Sequence, residues 1–213
     1  KARFDEEANL RWAAKLEKGG VNVLYSFPGL KVHSKLALVR REEDDAQRLY
    51  AYLGTGNFHE GTAKIYGDYG LFTADERLTG EVARVFNFLE TVKMPHTPFE
   101  HLLVGQFNLR PALIEKIERE IRHARAGRPA RMILKMNSLE DREMVEKLYE
   151  ASNVGVKIDL IIRGICCLVP GVQGFSENIR AISIVDRFLE HARVFWFNNN
   201  GEDEMYLSSA DFM

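Results

Sequence analysis

A chain of 213 residues, 46% hydrophobic and 28% charged, is globular in composition and long enough for one large domain or two small ones. A formal charge of -2 excludes a broad basic field for nucleic acid or anionic lipid, although 29 Lys and Arg still allow a local basic pocket. No apolar run approaches the roughly 20 residues of a membrane-spanning helix, and Lys1-Ala2-Arg3 is not a signal peptide, so a cytoplasmic protein is expected.

In chain order, Lys1 to Phe4 is expected to end a strand, and Asp5-Glu6-Glu7 suit the first turn of a helix, near the positive end of its dipole. That helix is expected to turn Leu10, Ala13, Ala14 and Leu16 inward and to end at Gly19-Gly20. Val21 to Phe27 reads as a strand closed by Pro28-Gly29. Leu30 to Val39 reads as the next strand, in which alternation puts His33 and Lys35 on one face. Arg40 to Gln47 is expected to be a polar hairpin loop before the strand Leu49 to Gly54. Gly61 to Tyr66 suits a helical turn and Tyr69 to Phe72 a strand. Thr73 to Glu76 reads as a capping box opening a helix with Leu78, Val82, Val85, Phe86 and Leu89 at helical spacing.

Lys93 to Pro98, with His96, reads as a linker that divides the chain into units at residues 1–100 and 101–213. Pro111 is expected to begin a helix that presents Leu113, Ile117, Ile121 and Ala124 on one face and ends at Gly127. Met132 to Met136 reads as a strand, Ser138 to Asp141 as a second capping box, and Val156 to Ile162 as a strand after the intervening helix. After an excursion through Pro170 to Gly174, His191 is expected to start a strand with Arg193 two positions on. The adjacent Cys166 and Cys167, inside the apolar run Leu160 to Val169, are expected to be buried reduced thiols. The missing initiator Met, and the stop at Asp211-Phe212-Met213 just after a strand-like Met205-Tyr206-Leu207, suggest a piece of a longer protein.

The halves align. Lys1-Ala2-Arg3 falls beside Lys135-Met136-Asn137, and Gly20 to Val23 beside Gly155 to Ile158. His33-Ser34-Lys35 falls beside His191-Ala192-Arg193, and Gly54-Thr55-Gly56-Asn57 beside Ser208-Ser209-Ala210-Asp211. Four pairs in one order point to two similar α/β units, each carrying a His-x-(Lys/Arg) element and a small-polar turn. An imidazole can attack phosphorus while a fixed ammonium offsets charge on the non-bridging oxygens. Thr55 and Asn57, between flexible glycines, offer hydrogen bonds to phosphate. The plainer alternative at this point is an edge hairpin with solvated His33 and Lys35. His59, His101 and His123 have no partners at useful spacing and read as surface residues, and neither a zinc cluster nor a P-loop is present.

His-x-Lys followed by Gly-Thr-x-Asn, present twice in degenerate form, resembles the phospholipase D fold. Ala2 to Asn9, Pro28 to His33, Gly54 to Phe58 and Ile179 to Arg187 more specifically resemble the bacterial polyphosphate kinase family of the first type, across essentially the whole chain. Arg40 stands where the phospholipase pattern has an Asp, and Arg193 and Asp211 replace the Lys and Asn of its second motif, which weighs against a phosphodiesterase or nuclease, the enzymatic alternative. A catalytically silent polyanion-binding module is the non-enzymatic one.

The resemblance implies two phospholipase D-like units, each a mixed sheet flanked by helices. It also implies reversible, magnesium-dependent transfer of the terminal phosphate of ATP to polyphosphate, with ADP as the other product. His33 would be the phosphorylated residue, Lys35 its fixed charge and His191 a partner that contacts nucleotide or exchanges a proton. Tyr66 and Arg163 would contact the nucleotide, Asn57 the phosphates, and Arg3 the phosphates that hold magnesium, since a protonated guanidinium has no lone pair for a metal. Domains outside this stretch would complete the nucleotide site and form a homo-oligomer; nucleic acid is not an implied partner. The location implied is cytoplasmic, compatible with a peripheral position on the inner membrane.

Overall fold

The computed structural model describes residues 6–25 and 29–212, so the expected strand end at Lys1 to Phe4 and the side chain of Arg3 lie outside the described residues. Two α/β units are present, as expected. The first sheet has the order β1 (Lys35–Glu43), β2 (Ala46–Gly54), β4 (Gly70–Thr73), all antiparallel. Its hairpin is tighter than expected, because Asp44 and Asp45 both take positive φ (49° and 63°). Consecutive left-handed residues make a two-residue turn whose twist matches paired strands, so Arg40 to Glu43 and Gln47 belong to the strands. Helix α3 (Glu76–Thr91) packs on this sheet through Val82, Val85 and Phe88. Its N-cap is Asp75, whose carboxylate accepts from the Arg77 N–H, and not Thr73, which lies in β4.

The second unit holds the main core. Its sheet runs β10 (Glu204–Ser208), β9 (Arg193–Phe197), β5 (Arg131–Met136), β6 (Lys157–Ile162), β7 (Ile179–Ile182). Strands β5, β6 and β7 are parallel, and β9 is antiparallel to both its neighbours. Alternation places Met132, Leu134, Met136, Ile158, Leu160, Phe195 and Phe197 on the core side. Leu113, Ile117 and Ile121 of α4 (Leu109–Arg125) and Leu148 of α5 (Arg142–Asn153) belong to the same core. Each such side chain contributes about 2 kcal/mol by leaving water. Helix α4 begins two residues before Pro111, and α5 is capped by Asp141, not by Ser138.

Other expectations are corrected. Helix α1 (Glu6–Lys18) buries only Ala13; Leu10, Ala14 and Leu16 are exposed, because no described element packs along that stripe. Val21 to Tyr25 takes no strand, and residues 26–28 lie outside the described residues. Cys166 and Cys167 are exposed, not buried: β6 ends at Ile162, the chain leaves the sheet there, and only Leu168 returns to the core. No described helix is long and apolar enough to cross a membrane.

Two features join the units. A short parallel pair, β3 (Tyr66–Gly67) with β8 (Leu189–Glu190), crosses between them. The linker is pinned by Glu81 of α3, a buried carboxylate that accepts from the N–H groups of Glu100 (2.8 Å), His101 (3.2 Å) and Leu102 (2.7 Å) and pairs with Arg84 (3.0 Å).

Candidate active site

The β1/β2 hairpin carries its first residue, the buried Lys35, to the seam between the units. His33 precedes the strand and does not lie on it: Lys35 pairs with Gly54, and beyond that the Thr55 N–H turns away to the Tyr69 carbonyl (3.0 Å), leaving nothing opposite His33. The chain then folds back so that Lys35 Nζ donates to the carbonyl of His33 at 2.5 Å.

His33 is fixed from the other unit. Its Nδ1 lies 2.9 Å from the carbonyl of Ser209, in the turn that the Ser208 hydroxyl ties to the Ala210 N–H after β10. A carbonyl only accepts, so Nδ1 carries the proton and Nε2 keeps its lone pair. Lys35 Nζ, 3.2 Å from Nδ1, then acts through its charge. Burial, followed by Lys35, holds His33 below the usual imidazole range, with Arg193 and Lys31 adding to the effect and the Ser209 carbonyl opposing it.

His191 lies between β8 and β9, outside any strand, with its backbone N–H on the Gly67 carbonyl at 3.1 Å. Its Nδ1 is 2.8 Å from Asp68 Oδ1 of the first unit. The same oxygen accepts from the Thr55 hydroxyl at 2.7 Å. Tyr66 sits beside the imidazole, ring centroids 5.0 Å apart. Burial lowers the His191 pKa, outweighing the Asp68 carboxylate that raises it; Arg193 and Arg163 lower it further. Arg193, opposite Ser208 in the sheet and bonded to the His191 carbonyl, stands beside the Ser209 turn that holds His33, and its charge lowers the pKa of both imidazoles.

The repeat is visible in atoms. Arg193 Nη1 donates to the carbonyl of His191 at 2.8 Å, as Lys35 does to that of His33. Its remaining nitrogens fork onto Asp211 at 3.0 and 2.9 Å, so Arg193 and Asp211 form a buried ion pair where the first unit has Lys35 and Asn57. Asp211 also accepts from the Asn137 N–H (2.7 Å), and the Asn137 side chain accepts from Arg163 Nε (3.0 Å). Asn57, half-buried in the turn after β2, accepts through its backbone carbonyl from the His59 N–H at 2.8 Å.

The glycines of Gly-Thr-Gly-Asn are not there for unusual φ, since neither takes a positive value. A Cβ on Gly56 would overlap the Asp68 carboxylate, and one on Gly54 would meet the Tyr52 ring. Of the residues put forward by the sequence and by its resemblance, the structure brings Lys35, His33, His191, Tyr66 and Arg163 to the seam, and it adds Asp68 and the Ser209 carbonyl, which the sequence reading did not single out. Asp68 stands alone in Gly-Asp-Tyr, 123 residues from its partner, with no periodic signal.

Magnesium finds no ready protein cage here. Among the described residues no three His, Cys, Asp or Glu side chains converge, and Asp68 and Asp211 are already bonded to His191 and Arg193. Mg²⁺ is commonly bound through one or two carboxylates together with a substrate's phosphates.

Comparison with known proteins places the whole chain in one family. The family model for polyphosphate kinase C-terminal domain 1 matches residues 1–95, and that for C-terminal domain 2 matches residues 102–213. The polyphosphate kinase of Escherichia coli (strain K12) is 53% identical over 212 residues, covering 100% of this chain and 31% of that protein. Polyphosphate kinase 1 of Chlorobaculum tepidum is 53% identical, covering 100% of this chain and 30% of its own length. The crystal structure of polyphosphate kinase from Porphyromonas gingivalis superposes with a TM-score of 0.87 at 45% identity, over 99% of this chain and 35% of that one. The chain thus spans about a third of the length of these relatives.

Proposed function

This chain belongs to the polyphosphate kinase family, and from that premise we propose that it forms the catalytic part of an enzyme that moves the terminal phosphoryl group of ATP onto inorganic polyphosphate through a phosphohistidine at His33. The observation that carries this reading is the bond from His33 Nδ1–H to the Ser209 carbonyl, which leaves Nε2 as a neutral nucleophile. In the first half-reaction that lone pair forms a bond to the γ-phosphorus, the bond to the bridging oxygen breaks, and ADP leaves with the electron pair. The imidazole gains positive character as it is phosphorylated, and the carbonyl on Nδ1–H, already in place, stabilises it. In the second half-reaction a terminal oxygen of polyphosphate takes the phosphoryl group and Nε2 regains its lone pair. Lys35 and Arg193 supply fixed charge around the equatorial oxygens.

Tyr66 and Arg163 bind the nucleotide in this reading, Asn57 the phosphates, and Arg3 the phosphates that carry magnesium. Magnesium, when bound, neutralises phosphate charge. Units at residues 1–100 and 101–213, a cytoplasmic location and self-association through other parts of the protein belong to the same proposal.

The test is incubation of the full-length protein with ATP labelled at the γ-phosphate. Acid-labile, alkali-stable label on His33 that chases into long chains is expected, and His33→Ala should lower turnover by at least about 10⁴-fold. Sustained turnover in His33→Ala would end this mechanism. A stable adduct with a phosphodiester in place of the label would favour phosphodiesterase chemistry.

A further inference from the structure

The second unit holds its two seam arginines in different ways. Arg193 commits every guanidinium nitrogen to the protein, Nη1 to the His191 carbonyl and Nε and Nη2 to the Asp211 carboxylate. Arg163, half-buried just after β6, gives only Nε, to the side-chain carbonyl of Asn137 at 3.0 Å. Its two Nη nitrogens have no partner among the described residues. Building on the reading in which Arg163 binds the nucleotide, we infer that Asn137 is a positioning residue: it orients this guanidinium and, being neutral, leaves the full charge to the nucleotide's phosphates.

Asn137 is itself fixed through its backbone. It follows β5 directly, is buried, and donates its N–H to Asp211 Oδ1 at 2.7 Å. Its backbone carbonyl accepts from the Gly164 N–H at 2.7 Å, and a Cβ on Gly164 would stand 3.0 Å from that oxygen, so a glycine after Arg163 permits the approach. Further on, the Leu139 N–H donates to the Ile165 carbonyl and the Cys167 N–H to the Leu139 carbonyl, both at 2.9 Å. The ends of the parallel strands β5 and β6 are thus kept side by side. The side chain of Asn137 remains for Arg163, and an Nε–H donor requires its oxygen, not its NH2.

A planar guanidinium held through Nε keeps its far edge, Nη1 and Nη2, open, and that edge matches two oxygens of a phosphate. A chain of bonds through Arg163, Asn137, Asp211 and Arg193 ends on the His191 carbonyl, so the open edge shares one frame with the seam. An Asp at position 137 would accept the same bond but would answer Arg163 as Asp211 answers Arg193, and it would stand beside the Asp211 carboxylate. The repeat sets Asn137 opposite Arg3. One half therefore has a guanidinium at this position, while the other has an amide that holds a guanidinium from the neighbouring strand.

The test is equilibrium binding of a non-hydrolysable ATP analogue with Mg²⁺, and of adenosine, to the full-length protein, beside steady-state kinetics. Asn137→Ala should weaken the analogue about 10-fold and raise the KM for ATP in parallel, with kcat changed by less than about threefold. Adenosine, which has no phosphate, should bind all forms alike. Asn137→Asp keeps an acceptor in the same place, so it also serves if the alanine variant fails to fold; it should weaken the analogue by at least about 10-fold, because the charge of Arg163 is then answered. In an Arg163→Ala background either change should add little. An analogue bound within about twofold of wild type by Asn137→Ala or by Asn137→Asp, an equal loss of adenosine, or a full additional loss on top of Arg163→Ala overturns the inference. Arg163→Ala that binds the analogue like wild type removes Arg163 from the nucleotide site, and the inference with it. Wild-type protein without label on His33, with these binding losses intact, refutes the phosphohistidine alone.

Discussion

At the scale of single residues, the site depends on which atom of each imidazole is occupied. His33 was legible as a candidate because a His-x-Lys pair is chemically pointed, but its placement was not. Strand alternation set His33 beside Lys35 on one face, whereas the hairpin ends at the Lys35–Gly54 pair and the cation folds back onto the histidine carbonyl. Gly56 gives a test confined to one methyl group. Its φ is not positive, so alanine fits the backbone, and the atoms its Cβ would come nearest are the Cβ and carboxylate of Asp68. Gly56→Ala should therefore lower the unfolding midpoint somewhat and slow turnover more, roughly 10- to 100-fold, by displacing Asp68 from His191. Steady-state kinetics beside thermal unfolding would check it; a large loss of stability with unchanged specific activity would contradict it.

Elements were more legible than their ends. The apolar spacing of α3 and the alternation of β5 and β6 follow from burial on one face, and both appear where the pattern puts them. Helix starts moved because Asp75 and Asp141, two and three residues into the apparent capping boxes, are the residues with extended backbone and a carboxylate that accepts from a first-turn N–H. Exposure of the cysteines was illegible for a different reason: an apolar run does not reveal where a strand stops. The linker carries a prediction of its own. Glu81 gathers three consecutive backbone N–H groups, and no neutral side chain can replace a carboxylate there without leaving donors poorly paired. Glu81→Gln should cost about 2 kcal/mol. Urea unfolding of the full-length protein followed at the seam would show it as a lowered midpoint, and an unchanged midpoint would mean the linker is held elsewhere.

For the whole molecule, the two central histidines couple docking of the units to pH. Both have folded-state pKa values below the ordinary imidazole value, so the unfolded chain binds their protons first as pH falls. Their contribution is therefore present above about pH 6.5 and is lost as pH drops through the lowered folded values. The unfolding midpoint should fall between about pH 7 and about pH 5.5, and fall less in a His33→Gln, His191→Gln double variant. Equal pH dependence in the two proteins would refute this. Glu204, held near pKa 2 by Arg119, Lys116 and Tyr206 against the opposing effect of burial, acts in a lower window, below its ordinary 4.5, and does not confuse the comparison.

The exchange of Lys35 and Asn57 for Arg193 and Asp211 limits how the two repeats can drift. In the second unit the pair is buried and doubly bonded, so replacing either member alone strands a charge, at a cost of about 3–5 kcal/mol. A mutational path from one repeat's chemistry back to the other's passes through that poorly folded intermediate unless both positions change together. The two halves of this repeat are thereby kept from reverting to copies of each other one substitution at a time.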